Sequence, residues 1–270
     1  MKLNKSTSAR YGHMLYKAHD KIIGKALEHY GEWAQDELNL LQNFIKPGDT
    51  VVDIGANIGT HTLAFAAFTG PSGKVLAFEP QRLIFQCLAA NVANNDLENV
   101  FTYPYGVGAE AGLMHVPEVD YNSEENFGSI SLVEENVGEP VPIVALDDLC
   151  DSCNLLKIDV EGMEIAVLQG ATELIKNCRP VLYTENNNNE KSPALINYIR
   201  NLGYHVYWHL SPFYNAGNFK GNAKNIFGNI LDINILCSAL PINGTSNCFF
   251  AATDELNTPE KAFQRFVGGV

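Results

Sequence analysis

The fold of this chain is decided by the stretch Thr50-Val51-Val52-Asp53-Ile54-Gly55-Ala56-Asn57-Ile58-Gly59-Thr60. In it an apolar run leads into an acidic residue, then into a turn punctuated by glycine, then into a helix-like pattern. Glycine lets the backbone turn sharply and approach a ligand without a Cβ in the way. A second apolar segment follows and ends at Glu79. The arrangement is typical of a βαβ unit that binds a nucleoside, with strand-end carboxylates placed to hold polar groups of the ligand.

Apolar strands and amphipathic helices alternate around this unit. The helices are predicted over 33–45, 60–68, 83–94, 164–177 and 193–202. The seven strands are predicted over 51–54, 74–78, 100–103, 155–160, 181–184, 204–208 and 230–237. Strands separated by helices of this length form parallel sheets with right-handed crossovers. The sequence therefore predicts an α/β fold with a mostly parallel seven-stranded sheet and helices on both faces.

The order of these elements divides the chain into three regions. Residues 1–31 form an N-terminal extension with helical character, and residues 32–240 form the α/β domain. Within that domain the alternation is interrupted over 106–142, where glycine, glutamate, asparagine and serine are frequent. We interpret this interruption as a mobile flap or substrate loop. Residues 241–270 remain as a C-terminal tail.

Charge and hydropathy restrict the partners of the chain. The 270 residues carry a net charge of −13 with a pI near 4.9, which argues against nucleic acid and against anionic lipid, because both need clustered Lys and Arg. No segment has the length and apolar content of a membrane span, and the polar start does not resemble a signal peptide. We therefore expect a cytoplasmic protein with a small-molecule or glycan partner, whose oligomeric state the sequence leaves open.

The turn distinguishes between two nucleoside cofactors. A dinucleotide fingerprint needs a middle glycine that lets the pyrophosphate approach, and here that position is Asn57. Asp53 would also repel a diphosphate. S-adenosylmethionine fits better, because it carries an ammonium and a sulfonium but no phosphate, and Glu79 can accept hydrogen bonds from its ribose. An NAD-dependent sugar-modifying oxidoreductase and a non-catalytic scaffold that binds the nucleoside remain as alternatives.

Four segments together resemble a known family. They are Val52-Asp53-Ile54-Gly55-Ala56-Asn57-Ile58-Gly59, Phe78-Glu79-Pro80, Leu146-Asp147-Asp148-Leu149 and Leu156-Lys157-Ile158-Asp159-Val160-Glu161-Gly162-Met163-Glu164. These segments resemble the FkbM family of methyltransferases, over roughly residues 33–238. The resemblance implies a Rossmann-like class I methyltransferase fold that uses S-adenosylmethionine. It further implies O-methylation of hydroxyl groups on sugars, glycans or polyketide-type metabolites.

Motif and chemistry together assign the cofactor site. Asp53 and the turn backbone are expected to hold the aminocarboxypropyl end, Glu79 the ribose, and the segment 100–106 the adenine. Asp159 ends its strand beside the expected position of the methyl group. The predicted cofactor-binding residues are Asp53, Gly55, Ala56, Asn57, Gly59, Glu79, Gly106 and Asp159.

The predicted catalytic residues are Asp159, Glu185 and His209. A sugar hydroxyl is a poor nucleophile, so a base or a metal ion helps to deprotonate it. In one mechanism His209 or a carboxylate with a raised pKa takes the proton. In the other, Asp159 and Glu185 bind a divalent cation such as Mg²⁺, which suits carboxylate ligands. We favour the metal-free mechanism, because no His/Asp spacing in the chain resembles a metal motif.

The segment 208–225 is rich in aromatic, glycine and asparagine residues. Aromatic rings stack on sugar faces and amides bond hydroxyl groups, so this segment is a candidate for acceptor recognition. An ordinary packed loop explains the same composition equally well.

Overall fold

The structure is a computed structural model that describes residues 3–244 and 246–268. Thirteen strands and eight helices follow one another along the described chain. In order they are β1 (Asn4–Ala9), β2 (Gly12–Lys17), α1 (Ile23–Tyr30), α2 (Gln35–Leu41), β3 (Thr50–Ile54), α3 (Thr60–Thr69), β4 (Lys74–Phe78), α4 (Arg82–Asn94), β5 (Val100–Tyr103), β6 (Gly106–Val107), β7 (Gly112–Val116), β8 (Glu139–Val144), β9 (Leu155–Ile158), α5 (Glu164–Gln169), α6 (Thr172–Cys178), β10 (Val181–Glu185), α7 (Ser192–Asn201), β11 (His205–Pro212), β12 (Leu231–Ser238), β13 (Phe249–Ala251) and α8 (Pro259–Gly268).

The main sheet has the order β13-β11-β12-β10-β9-β3-β4-β5. Strands β5, β4, β3, β9 and β10 are parallel to one another, whereas β12 is antiparallel to both β10 and β11. Helices α2 and α3 pack on one face through residues such as Leu38 and Phe65, and α5, α6 and α7 pack on the other. The predicted α/β class with a mostly parallel sheet is confirmed.

The sheet has eight strands rather than the predicted seven. The additional strand, β13, belongs to the segment 241–270 that the sequence suggests is a tail. It pairs antiparallel with β11, for example Tyr207 with Ala251, and so covers what would otherwise be a free sheet edge. Three residues are too few to show a strand periodicity, which is why the sequence does not reveal it.

The N-terminal extension is helical only over α1. Before it, β1 and β2 form an antiparallel hairpin, a correction to the helical character predicted for 1–31. The inward side of β2 buries Met14 and Tyr16. The amide of the buried Asn91 bonds both the N–H and the carbonyl of Leu15 and the carbonyl of Ile58. The hairpin is therefore held to α4 and to the glycine turn.

The interruption over 106–142 contains a small sheet of order β6-β8-β7. Strands β7 and β8 are antiparallel, whereas Val133 contributes only an isolated bridge to His115. Movement of this region as a flap stays a prediction. Within the described residues no helix has the length and apolar character needed to cross a bilayer.

Candidate active site

A cavity lies where the carboxyl ends of β4, β3, β9 and β10 meet the start of β12. Seven of the predicted site residues line it: Gly55, Ala56, Asn57, Glu79, Gly106, Asp159 and Glu185. The other three, Asp53, Gly59 and His209, do not. Since neighbouring strands are about 4.8 Å apart, the four steps from β4 to β12 spread the site over roughly 19 Å.

The glycine turn brings two strand ends into close contact. Gly55 has φ +72°, and a Cβ there would lie 1.8 Å from the carbonyl oxygen of Asp159. Asn57 also has positive φ, a conformation that asparagine tolerates better than most residues, and its side-chain oxygen accepts a hydrogen bond from the N–H of Ile58. Gly59 has φ +92° and packs against Leu88, so it directs the start of α3 rather than the cavity wall.

Glu79 is a buried carboxyl group that faces the cavity. Its two oxygens accept hydrogen bonds from the N–H groups of Asn57 and Gln81, at 2.9 and 2.8 Å. Burial raises the pKa of Glu79 to about 7, although both backbone hydrogen bonds oppose that shift. The Glu79 carboxyl group therefore has a fixed orientation, and it lies at the end of the cavity next to β4.

Asp53 lies beneath the turn instead of in the cavity. Its side chain is fully buried, accepts a hydrogen bond of 2.6 Å from the Thr62 hydroxyl and lies 3.3 Å from the Lys157 ammonium. Asp53 therefore does not line the cavity in which its contact with the cofactor is predicted. The physical reason is that its side chain points toward α3, which covers this face of the sheet.

Lys157 connects the buried and the cavity-facing carboxylates. Its ammonium lies 3.4 Å from Asp159 and 3.2 Å from the carbonyl oxygen of Gly55. Burial lowers the pKa of Lys157, but Asp53 and Asp159 outweigh this effect and hold the pKa above its ordinary value. Lys157 therefore stays charged and fixes Asp159 at the end of β9.

Carboxyl groups converge at the end of the cavity that β9, β10 and β12 form. Oxygens of Asp159, Glu161 and Glu185 lie within 4.8 Å of one another. Burial and then neighbouring carboxylates raise the pKa of Glu161 to about 7 and of Glu185 to about 10. The same two causes raise the pKa of Asp232 well above its usual range. Part of this group therefore holds its protons at neutral pH.

The predicted Mg²⁺ would use these carboxylates. Asp159, Glu161 and Glu185 have oxygen ligands at a suitable mutual distance for a hard cation. Such convergence is common among acidic groups and does not by itself establish a cation site. The divalent cation therefore stays a prediction from the sequence.

His209 lies outside the cavity, contrary to its predicted contact with the acceptor. Its Nδ1 is 2.9 Å from the Tyr183 hydroxyl, and its Nε2 is 3.2 Å from a carboxylate oxygen of Asp36. The predicted strand stops at Trp208, whereas β11 continues to Pro212. His209 is therefore an interior strand residue that faces α2, and its ring has partners on both nitrogens.

Several cavity residues were not predicted from the sequence. Glu37, on α2, bonds His61 at 3.1 Å and the amide of Asn234 at 3.0 Å. A helical periodicity gave a signal, since positions 34, 37, 38 and 41 lie on one side of a helix and only position 37 is charged. An acidic side chain in the first turn also suits the positive end of the helix dipole at the surface, so the sequence does not show that Glu37 is buried.

The segment 208–225 is mainly a packed loop. Its asparagine amides bond backbone carbonyls or Glu32, as in Asn218 with the carbonyls of Asn215 and Asn222. Only Phe213 from this loop lines the cavity, where it meets Trp33 edge-on at a centroid distance of 4.6 Å. The amides are thus occupied, and one aromatic pair remains for recognition.

Comparison with known proteins agrees with this architecture. Residues 53–206, more than half of the chain, match the model of the methyltransferase FkbM domain. The methyltransferase sdnD of Sordaria araneosa is 31% identical over 157 residues, which cover 46% of this chain and 60% of the relative. The hexuronic acid methyltransferase AglP of Haloferax volcanii is 27% identical over 154 residues, which cover 55% of this chain and 60% of the relative. The chain thus spans about 60% of the length of these relatives.

Fold similarity extends over most of the chain. The solved structure of protein PH0793 from Pyrococcus horikoshii has a TM-score of 0.50 at 13% identity, covering 88% of this chain and 72% of that one. Fold, turn and family match together are those of a methyltransferase domain. The chain belongs to the FkbM methyltransferase family. This membership favours methyl transfer over the oxidoreductase and scaffold alternatives.

Proposed function

We propose that this protein transfers a methyl group from S-adenosylmethionine to a hydroxyl group of a sugar, glycan or other small polar molecule. The observation that carries the proposal is the division of one cavity along the sheet. The glycine turn and Glu79 lie at one end, and a set of side chains suited to a polyhydroxylated acceptor lies at the other. We call these the cofactor half and the acceptor half.

The cofactor half consists of Gly55, Ala56, Asn57, Glu79 and Gly106. It fits a nucleoside, because the Glu79 carboxyl group is held by two backbone N–H groups with its remaining lone pairs free to accept from adjacent hydroxyls. The missing Cβ of Gly55 keeps the turn in contact with β9. Bound S-adenosylmethionine would supply an electrophilic methyl group. Asp159, held by Lys157, would lie between the two halves and orient the acceptor.

The acceptor half consists of Trp33, Glu37, Tyr183, Glu185, Phe213, Asp232 and Asn234. The Trp33–Phe213 pair offers an apolar surface for a sugar ring, and the polar groups can bond hydroxyls. Six carboxyl side chains line the whole cavity, and Lys157 is the one ammonium group among the described lining residues. We therefore propose an acceptor without negative charge, unlike the uronic acid in the name of the Haloferax relative. A cytoplasmic location and the identity of the acceptor stay predictions.

The test has a binding step and a transfer step. Calorimetry should detect binding of S-adenosylhomocysteine but not of NAD, and labelled S-adenosylmethionine should label a panel of neutral methyl glycosides on oxygen. Glu190→Gln, on the loop after β10 and outside the lining, serves as a control with unchanged binding. Binding of NAD alone, or a label found only on nitrogen or carboxylate groups, would overturn the proposal.

A further inference from the structure

Three side chains form a continuous hydrogen-bonded row from the cavity to the surface. Tyr183 on β10 lines the cavity and is 1% exposed. Its hydroxyl is 2.9 Å from Nδ1 of His209, which is 4% exposed. Nε2 of His209 is 3.2 Å from Asp36 on α2, whose side chain is 44% exposed. The row therefore begins at buried cavity wall and ends in water.

Methylation of a hydroxyl releases one proton for each turnover, and the nearby carboxyl groups are poor acceptors for it. Glu185 already accepts a hydrogen bond from the Asn187 amide, and burial with neighbouring carboxyl groups raises the pKa of both Glu185 and Asp232, which favours their protonated forms. Asp159 is already paired with the Lys157 ammonium, at 3.4 Å. A proton formed in the acceptor half therefore needs another route.

We propose that Tyr183, His209 and Asp36 carry the proton of the acceptor hydroxyl from the cavity to solvent. The proposal rests on the proposed function. Tyr183 is the catalytic residue of the three, because it alone reaches the cavity, while His209 and Asp36 act through it. In this proposal His209 takes part in deprotonation, as the sequence predicts, but it receives the proton from Tyr183 and not directly from the acceptor.

The proton balance follows from the geometry. As the carbon–oxygen bond forms and the methyl–sulfur bond breaks, the acceptor proton passes to the Tyr183 oxygen while the Tyr183 proton passes to Nδ1 of His209. The imidazolium then gives its Nε2 proton to Asp36, which exchanges it with water. His209 starts with hydrogen on Nε2 and is left with hydrogen on Nδ1 after each transfer. Before the next turnover its imidazole ring rotates, loses the Nδ1 proton to water and takes one from water on Nε2, so that one proton in total has passed from the acceptor to solvent.

The surroundings of Tyr183 require the two transfers to be concerted. Burial, followed by Glu37, Asp232 and Asp36, raises the pKa of Tyr183 well above its ordinary value, while a hydrogen bond from Asn234 opposes the shift. A free tyrosinate is therefore not stored. The ammonium on the adjacent strand, Lys157, and the Phe249 ring beside His209 complete the groups that face this row.

The alternative is that Tyr183, His209 and Asp36 have only a structural role at the edge of the core. Steady-state kinetics distinguish this structural role from the proton path. Tyr183→Phe keeps the ring and removes the proton, so we expect kcat to fall about 100-fold, with acceptor KM and S-adenosylhomocysteine Kd within about twofold of wild type. Asp36→Asn should lower kcat about tenfold and flatten its dependence on pH. The matched control is Tyr207→Phe, a buried tyrosine outside the cavity whose oxygen bonds only the N–H of Ile242, and it should leave kcat unchanged.

A spectroscopic readout is independent of turnover. In the ligand-free protein, ¹⁵N NMR of His209 should show hydrogen on Nε2, and Tyr183→Phe should shift Nδ1 to the value of a nitrogen without a hydrogen-bond donor. Hydrogen on Nδ1, or an unchanged kcat in Tyr183→Phe, would overturn the proton path. Absence of methyl transfer by the wild-type protein would instead overturn the proposed function, so the two failures are distinguishable.

Discussion

The two halves of the cavity are built in different ways. The cofactor half uses backbone, with a glycine turn and N–H groups that hold one carboxyl group, and it lies within residues 53–206 that match the family. The acceptor half uses side chains, and Trp33, Glu37, Phe213 and Asp232 all lie outside that span. The difference teaches that a family match can define the cofactor of this chain without defining its acceptor.

The halves also differ in electrostatics. Glu79 is stabilised by two backbone donors, whereas Glu185 is surrounded by other carboxyl groups. In the acceptor half, burial and neighbouring carboxyl groups raise the pKa of Glu185 and Asp232, which favours their protonated forms, and a protonated carboxyl group can donate as well as accept hydrogen bonds. A neutral polyol satisfies both kinds of group.

The largest expected effect is in the cofactor half. Gly55→Ala places a Cβ 1.8 Å from the Asp159 carbonyl, so the turn must move. We expect S-adenosylhomocysteine affinity to fall at least about 100-fold, or ~2.7 kcal/mol, by calorimetry. Gly70→Ala is the matched control, because Gly70 also has positive φ but has open space around it. It should lose about 1 kcal/mol of stability and keep its affinity. Equal losses of affinity in both variants would contradict this account.

The second prediction concerns the carboxyl groups of the acceptor half. The pKa of Glu185 rises on folding from 4.5 to about 10, so the folded protein binds more protons than the unfolded one between these values. Its stabilising contribution is complete below pH 4.5 and is lost as pH rises toward 10, so acidification from pH 8 to pH 6 should stabilise the ligand-free protein by about 2 kcal/mol. Denaturant titrations of Glu185→Gln should show a smaller slope and higher stability at pH 8, and the slope that remains comes from Asp232, Glu161 and Glu79, whose pKa values are also raised. A wild-type stability that increases from pH 6 to pH 8 would exclude the predicted proton uptake.

Trp33→Ala should affect the acceptor alone. Losing the ring removes one side of the apolar surface, and we expect the acceptor KM to rise about tenfold with kcat reduced less. Trp33→Phe should restore most of the loss, because a smaller ring can still pack against Phe213. An unchanged KM for every accepted glycoside would place the sugar ring elsewhere.

The charge of the acceptor is tested by a matched pair of substrates. A neutral methyl hexoside should have a kcat/KM about tenfold above that of the corresponding uronate, because the lining carries six carboxyl side chains and one lysine. High salt should bring the two kcat/KM values closer together, because it screens the repulsion between the uronate and the lining carboxylates. A preference for the uronate would show that the protonated carboxyl groups bind an anion.

The smallest expected effect is that of chelation. Under the metal-free mechanism, EDTA should change kcat by less than about twofold, with added Mg²⁺ as the control. If chelation abolishes activity and added Mg²⁺ restores it, the metal-free mechanism is wrong, and Asp159, Glu161 and Glu185 form a cation site.

Most of the residues predicted for the site line one cavity for a physical reason. The carboxyl ends of consecutive parallel strands meet at one edge, so Asn57, Glu79, Asp159 and Glu185 come together whatever the loops do. The errors concern side-chain direction. Asp53 turns beneath the glycine turn because α3 covers its face, and a strand longer than predicted turns His209 toward α2.

The acceptor half could not be predicted from the sequence. Trp33 and Phe213 are 180 positions apart and meet only because α1 and the loop after β11 lie over the same end of the sheet. No periodicity within either segment encodes that contact. The same holds for Glu37 and Asn234, whose pairing depends on α2 covering the start of β12.

The division of the cavity is tested most directly by calorimetric titration of S-adenosylhomocysteine into wild type, Glu79→Gln and Trp33→Ala. Glu79→Gln removes an acceptor from the cofactor half, so its Kd should rise about tenfold, or ~1.4 kcal/mol, whereas the Kd of Trp33→Ala should stay within about twofold of wild type. A Trp33→Ala variant that loses as much affinity as Glu79→Gln would contradict the separation of the two halves.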